Sequence, residues 1–250
     1  MTDQEARKSR DEAFWAKPVS ELHLGEVPAD AVNLNVEGRR VAGMTGGFGK
    51  MYQVTYRIRL EGADVTPQQV VSVWKERFAS FWPKKNKFFG SGAPIAPGDV
   101  ALLNVRTGGV KLSTGVLVLY ADDESFSFMT PEGHMFNGMI TFSAFDDGGA
   151  TVAQVQGLIR AQDPIYEVGM TFGGKGAEDR MWLHVLGRLA AHFGVETRAT
   201  VTRVCVDSKR QWEHWRNVKK NAAIRSGLHM AGAPMRALRK PFSRKAKAAQ

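Results

Sequence analysis

Residues 100–161 read VALLNVRTGGVKLSTGVLVLYADDESFSFMTPEGHMFNGMITFSAFDDGGATVAQVQGLIRA, and this stretch decides the fold. It divides into five runs with the length and pattern of β-strands, joined by short connections rich in Gly and Asp. Connections this short cannot carry a parallel crossover, so the stretch predicts an antiparallel meander. Its strands are predicted at Val100–Arg106, Val110–Tyr120, Ser125–Thr130, Asn137–Phe145 and Ala150–Ala161.

A further strand and a helix are predicted before the meander. Apolar and polar residues alternate over 52–60, which is typical of a strand with one buried face. A capping box at Thr66–Gln69, with Pro67 in the first helical position, starts a helix that ends at Pro83. The loop that follows, 84–98, has a length often found in lids and binding loops.

A second helix is predicted after the meander. The segment Ala177–Phe193 has an apolar stripe, acidic residues near its start and Gly194 after its end. A Gly-rich stretch before it is predicted to be a flexible loop. The order strand, helix, meander, helix predicts an α+β protein with one sheet and helices on one of its faces.

This order of elements resembles the helix-grip fold of the START and birch-pollen-allergen superfamily, over roughly residues 50–195. The string Thr130–Gly138, TPEGHMFNG, is similar to a Gly-His…Gly turn in an uncharacterised bacterial branch, although Met139 replaces the acidic residue usual there. The resemblance implies a curved antiparallel sheet wrapped around a long C-terminal helix, with an apolar cavity for a small molecule or lipid. It also implies that such a protein either binds and carries its ligand or acts as a cyclase or dehydratase.

Nine residues are predicted to line that cavity. Aromatic residues concentrate on the first helix and the long loop, and they either gate a cavity or fill an ordinary core. Gln156 either points into the cavity or lies on the wet face of the sheet. The nine are Tyr56, Trp74, Phe78, Phe88, Phe89, Met139, Gln156, Trp182 and Leu186.

The sequence contains no complete catalytic motif. His134 and Tyr56 are the candidates for an acid or base, but no nucleophile or paired carboxylate accompanies them. The alternative role for His134 is to shape a turn. The string Gly169–Gly176 fits a phosphate-binding G-x-x-x-x-G-K, yet it lacks the Ser or Thr for magnesium and follows antiparallel strands. No metal site and no cofactor are predicted, because the one Cys and six His residues are scattered.

Composition predicts a folded protein of one domain plus extensions. The chain has 250 residues, 43% of them hydrophobic, and its single cysteine, Cys205, excludes an internal disulfide. Residues 1–7 are polar, and no apolar run is long enough to cross a bilayer. These features predict a cytoplasmic protein, and the alternative is a protein that binds peripherally at the membrane.

Positive charge concentrates at the C-terminus. Residues 209–250 contain 12 Lys or Arg and one acid, Glu213, whereas the other 208 residues contain 22 basic and 24 acidic side chains. We therefore expect a nearly neutral body with a basic extension. The predicted divisions are a partly helical leader at 1–49, a ligand-binding domain at 50–195 and the extension at 196–250.

The extension is predicted to hold a strand, a basic amphipathic helix and a disordered tail. The strand at 197–207 either joins the sheet or pairs with a second subunit in a homodimer, and the helix is predicted at 209–231. Tryptophans among basic residues suit an anionic membrane or acidic partner, a nucleic acid, or simple docking on the body. The candidate contact residues are Trp212, Trp215, Arg216, Lys219, Lys220, Arg225, Arg239, Lys240, Arg244 and Lys245.

Three functions remain open from the sequence. The first is binding or carrying of an apolar or lipid-like small molecule, with the basic extension directed to a surface or partner. The second is a cyclase- or dehydratase-like enzyme on the same fold. The third is a nucleic-acid-associated protein in which the basic extension binds.

Overall fold

A computed structural model of the protein describes residues 12–28, 31–107 and 110–232. One antiparallel eight-stranded sheet dominates it, in the order β2-β3-β4-β5-β6-β7-β1-β8. The strands are β1 Met51–Arg59, β2 Lys87–Phe89, β3 Val100–Thr107, β4 Val110–Ala121, β5 Ser125–Met129, β6 Phe136–Asp147, β7 Ala150–Ala161 and β8 Thr200–Asp207.

The predicted meander is confirmed, since each of β3 to β7 pairs antiparallel with the next. β1 then inserts between β7 and β8, with Tyr52 opposite Ile159 on one side and Cys205 on the other. The strand near 197–207 therefore joins the sheet of its own chain. β2 lies inside the segment predicted as a loop, where three residues pair with β3.

Four α-helices lie wholly within the described residues: α1 Pro67–Arg77, α2 Pro164–Gly169, α3 Lys175–His192 and α4 Ala222–Ala231. The predicted capping box is confirmed, because Thr66 accepts from the Gln69 backbone while the Gln69 side chain accepts from Thr66. A 3-10 turn, Phe78–Phe81, extends α1. The Gly-rich stretch before α3 is not an open loop: it forms α2 and a kinked turn, Met170–Gly174, in which Gly173 has φ of 110°.

The main core lies between α1, α3 and one face of the sheet. Along β1 the residues that face this core are Val54, Tyr56 and Ile58, all with 1% exposure or less. The opposite face carries a smaller cluster of Leu22, Val36, Leu102 and Leu117, so residues from the leader cover that side. A curved antiparallel sheet around a long helix is the helix-grip arrangement, and the predicted fold class is confirmed.

The prediction of one continuous helix over 209–231 is wrong. A 3-10 helix, Trp212–Lys220, precedes α4, and the break falls at Asn221. The Asn221 side chain accepts from the Ile224 backbone as a helix cap and donates to buried Asp163, which fixes the break. Within the described part of the chain, no helix is both long and apolar enough to cross a bilayer.

Candidate functional site

Interlocking rings fill one end of the core. Phe142 lies at the centre, with ring centroids 5.4 Å from Trp74, 5.1 Å from Phe78 and 4.7 Å from Phe126. Most of these pairs meet edge to face, the arrangement that aromatic quadrupoles favour. We call this the aromatic cluster; it consists of Trp74, Phe78, Trp82, Phe88, Phe126, Phe128, Phe142 and Trp182.

The nine residues predicted for a cavity separate into two sets. Six belong to the main core or pack against it, and four of these six are in the aromatic cluster. The other three lie on the opposite face of the sheet. Phe89 packs with the smaller cluster, and Gln156 donates a hydrogen bond to Thr55. Met139 precedes Ile140, which packs against the main core, so the Met139 side chain lies on the other face of the strand. These three therefore leave the candidate site.

A cavity of about 260 Å³ opens at the other end of the core, near the start of α3. It is bounded by β1, the ends of β6 and β7, β8, α2 and the kinked turn. None of the nine predicted residues lines it. We call it the charged cavity; its lining residues are Lys50, Tyr52, Val54, Phe136, Ile159, Ala161, Glu167, Met170, Thr171, Lys175, Glu178, Arg203 and Arg210.

The side chains of Glu167 on α2 and Ala161 on β7 pack closely against Gly49, just before β1, at the rim of the charged cavity. A Cβ atom on Gly49 would lie 2.3 Å from Glu167 Oε2 and 2.7 Å from the Ala161 side chain. Only glycine at position 49 permits this approach without displacement. Glu167 in turn accepts from Arg210 Nε at 3.1 Å, which ties α2 to the chain after β8.

Glu178 is the most unusual side chain of the charged cavity. It lies in the first turn of α3 and is 10% exposed, and its Oε2 has no hydrogen-bond partner among the described residues. Arg203 Nη2 is the nearest cation, at 3.7 Å. Burial raises the pKa of Glu178 to about 7, against the opposing effect of Arg203.

The neighbouring acid, Asp179, accepts two hydrogen bonds on one of its oxygens. Its Oδ1 accepts from the Tyr56 hydroxyl at 2.7 Å and from Arg203 Nη2 at 2.9 Å. Burial and the nearby carboxylates of Glu178 and Asp179 raise the pKa of Tyr56, so its hydroxyl stays protonated. Tyr56 therefore acts here as a hydrogen-bond donor to Asp179 and does not line the cavity.

The lining of the charged cavity carries four basic and two acidic side chains. Lys175 Nζ lies 4.7 Å above the ring of Tyr52, a cation–π contact that holds the ammonium group near the opening. The formal excess of positive charge favours an anionic group in this space. The Gly169–Gly176 string supplies Lys175, but it lies beside an antiparallel sheet and not at the end of a parallel strand.

His134 is buried away from the charged cavity. Its Nδ1 accepts from the Phe136 backbone N–H at 3.1 Å, and burial lowers its pKa to about 4. Next to it, a Cβ on Gly133 would lie 2.2 Å from the Lys220 carbonyl oxygen. This turn thus anchors the segment before α4, and His134 is a structural residue of that turn.

The basic extension docks on the body as far as residue 232. Asn217 donates to the carbonyls of Gly46 and Gln162, and Lys220 pairs with Glu132 at 2.7 Å. Trp212 packs edge to face on Phe48 yet stays 67% exposed. Trp215 is 48% exposed under Arg216, while Lys219 and Arg225 lie on the same segment. Arg239, Lys240, Arg244 and Lys245 lie outside the described residues.

Comparison with known proteins finds similarity in structure only. No family model matches the chain, and no curated protein matches its sequence. Among solved structures it is similar to major latex-like protein 151 of Panax ginseng, at 13% identity and a TM-score of 0.41, covering 58% of this chain and 99% of that one. A protein of Thermus thermophilus is similar at 11% identity and a TM-score of 0.45, over 56% of this chain and 96% of that one.

The di-domain ARO/CYC StfQ from the steffimycin biosynthetic pathway is also similar, at 10% identity and a TM-score of 0.44. The match covers 58% of this chain and 50% of that one. These matches concern architecture alone. The observed sheet order and the long α3 give this chain a helix-grip fold.

Proposed function

We propose that the protein binds a small amphipathic molecule, an apolar chain or ring with an anionic group, in the charged cavity. The observation that carries this proposal is a space of about 260 Å³ whose lining combines an apolar wall with an excess of cations. It is slightly below the roughly 300–1,000 Å³ usual for ligand sites, which favours a compact ligand.

The apolar wall and the cations lie on different elements. Val54, Phe136 and Ile159 come from β1, β6 and β7, whereas Lys175 comes from α3, Arg203 from β8 and Arg210 from the segment after β8. A ligand with one apolar and one anionic end would satisfy both. Burial of the apolar end supplies most of the affinity, and the cations fix the orientation.

Calorimetric titration with decanoate tests this proposal, with 1-decanol as the uncharged control. We expect decanoate to bind with one-to-one stoichiometry and to bind more tightly than the alcohol. Ile159→Trp fills the cavity and is expected to weaken decanoate binding about tenfold or more. Val204→Trp places the same side chain on exposed β8 and should leave binding unchanged. Binding that is absent, or equal in Ile159→Trp and the wild type, would contradict the proposal.

A second candidate function is peripheral binding to an anionic membrane. The rim of the charged cavity exposes three large apolar side chains, Ile165 (49% exposed), Val168 (55%) and Phe172 (85%). Met170 and Thr171 of the same segment line the cavity, so a membrane contact here would bring the opening to the lipid. Exposed apolar residues beside basic ones suit the interface of an anionic bilayer.

Vesicle sedimentation tests the membrane proposal. We expect binding to phosphatidylcholine vesicles only when phosphatidylglycerol is added, with a loss at high salt. Phe172→Ser should weaken this binding, whereas Val19→Ser, an exposed apolar residue of the leader, should not. Equal binding by Phe172→Ser and the wild type would contradict a contact through this rim.

A further inference from the structure

Two carboxyl groups stand side by side at the start of α3 and differ in what they contact. Asp179 accepts two hydrogen bonds, from Tyr56 and Arg203. Glu178 lines the cavity, is nine-tenths buried, and keeps Oε2 without a hydrogen-bond partner among the described residues. A base that accepts no hydrogen bond has none to give up when it takes a proton, and of these two acids Glu178 is the one that accepts none from the described residues.

Each element that packs around Glu178 contributes a charged or hydroxyl group to its surroundings. Its own helix supplies Lys175 and Asp179, and β8 supplies Arg203. Around the same cavity, β1 and its preceding residue contribute Tyr52 and Lys50, α2 contributes Glu167, and the segment after β8 contributes Arg210. A carboxylate flanked by cations can take a proton while those cations stabilise the anion that results.

We propose that Glu178 is the general base of an enzymatic site in the charged cavity, acting on a small carbonyl compound with an acidic C–H bond. The carboxylate oxygen forms an O–H bond as the C–H bond breaks, and the electron pair moves onto the carbonyl oxygen to give an enolate. Lys175 and Arg203 stabilise that oxygen. Return of the proton to carbon restores Glu178, so no oxidant or co-reactant is needed. This rests on the proposed function, because the substrate must occupy the same cavity.

The raised pKa of Glu178 agrees with a role as a general base. Burial raises its pKa to about 7, so near neutral pH the group exists in both protonation states. The carboxylate form is the base, which predicts activity that rises with pH through about 7. His134, with its pKa lowered and its Nδ1 already accepting a hydrogen bond, is not suited to this task.

The elimination of 5-nitro-1,2-benzisoxazole tests the base directly. A base removes the C3 proton, the N–O bond breaks, a nitrile forms, and 2-cyano-4-nitrophenolate is released with its colour. We expect turnover that decanoate inhibits competitively and that rises with pH to a midpoint near 7. Glu178→Gln is expected to lower kcat/KM about 100-fold or more. Glu76→Gln, an exposed acid on α1, should have no effect.

Decanoate binding separates the two proposals. If Glu178→Gln still binds decanoate and eliminates the benzisoxazole as fast as the wild type, the role of Glu178 is overturned while the cavity stands. If the wild type does not bind decanoate, the ligand-binding proposal fails and this one falls with it. Should Glu178→Gln fold poorly, Glu178→Asp keeps the carboxylate, and a flat pH profile in a folded Glu178→Asp would equally overturn the inference.

Discussion

The two ends of the core face the same sheet and are filled in opposite ways. At one end eight aromatic side chains interlock, and Trp74 there has no exposed surface. At the other end the sheet and α3 separate around a cavity lined by six charged residues. Aromatic side chains close one end of this core, whereas the cavity lies at the end where charged residues from distant segments of the chain meet.

Each end also leaves buried polar groups without a hydrogen-bond partner among the described residues. In the aromatic cluster they are the indole nitrogens of Trp74 and Trp82, and in the charged cavity it is Oε2 of Glu178. The indole N–H group keeps its proton, and burial only removes the water that would hydrate it. The carboxyl group can instead adjust its protonation, which makes the cavity end sensitive to pH.

The largest expected effect comes from breaking the aromatic cluster. Trp74→Ala removes a fully buried ring at the contact with Phe126 and Phe142, and we expect it to lower the free energy of unfolding by about 3–5 kcal/mol. Tyr52→Ala, at the half-buried cavity wall, should cost much less. Urea denaturation measures both, and equal losses would remove the distinction between the two ends.

Glu178→Gln is expected to have the next largest effect on stability, and this effect depends on pH. The pKa of Glu178 is raised from 4.5 to about 7 in the folded state, so its contribution to stability is full below pH 4.5 and is lost as pH rises to about 7. We expect Glu178→Gln to gain on the order of 3 kcal/mol over the wild type across that window. Urea denaturation at pH 4.5 and pH 8 measures it; a difference independent of pH would contradict the raised pKa.

His134 should show the reverse pH dependence. Its pKa is lowered from 6.5 to about 4, so its contribution to stability is full above pH 6.5 and is lost as pH falls towards 4. His134→Asn keeps an acceptor for the Phe136 N–H and has no such titration. We therefore expect the wild type to lose more stability than His134→Asn between pH 6.5 and 4, by up to about 3 kcal/mol. Parallel losses in thermal melts at several pH values would contradict a buried neutral imidazole.

The smallest effect is expected at the cavity rim. Phe172 is 85% exposed, so Phe172→Ser should change the free energy of unfolding by about 0.5 kcal/mol or less. The same variant should weaken vesicle binding if the rim docks on a membrane. A large loss of stability in urea would show that Phe172 packs against the body and is not a free surface group.

The sequence predicts the fold well because its signals are local. The short Gly-rich connections determine the meander, and Thr66 with Gln69 determines the start of α1. It misses β2, where only three residues pair, and the break at Asn221, whose cause is a contact with Asp163 far away in the chain. Elements set by long-range contacts have no local pattern to detect.

The candidate site could not be predicted in the same way. Glu178 appears in the sequence only as an acid suited to a helix start, and Arg203 lies within a strand 25 residues later. They meet because β8 pairs with β1 in the register that sets Arg203 opposite Val54. Trp74, Phe78 and Trp182 stand out in the sequence, but their rings fill the space that a ligand would need.

Measuring the protonation of Glu178 with and without decanoate tests whether a buried acid and a ligand share the charged cavity. Carbon-13 NMR of the glutamate carboxyl groups can follow it across pH, with Glu178→Gln to assign the signal. We predict a midpoint near 7 in the free protein and a higher one with decanoate bound, because a second anion in the cavity disfavours the carboxylate. A midpoint near 4.5 that decanoate does not move would contradict both the buried acid and its place in the ligand site.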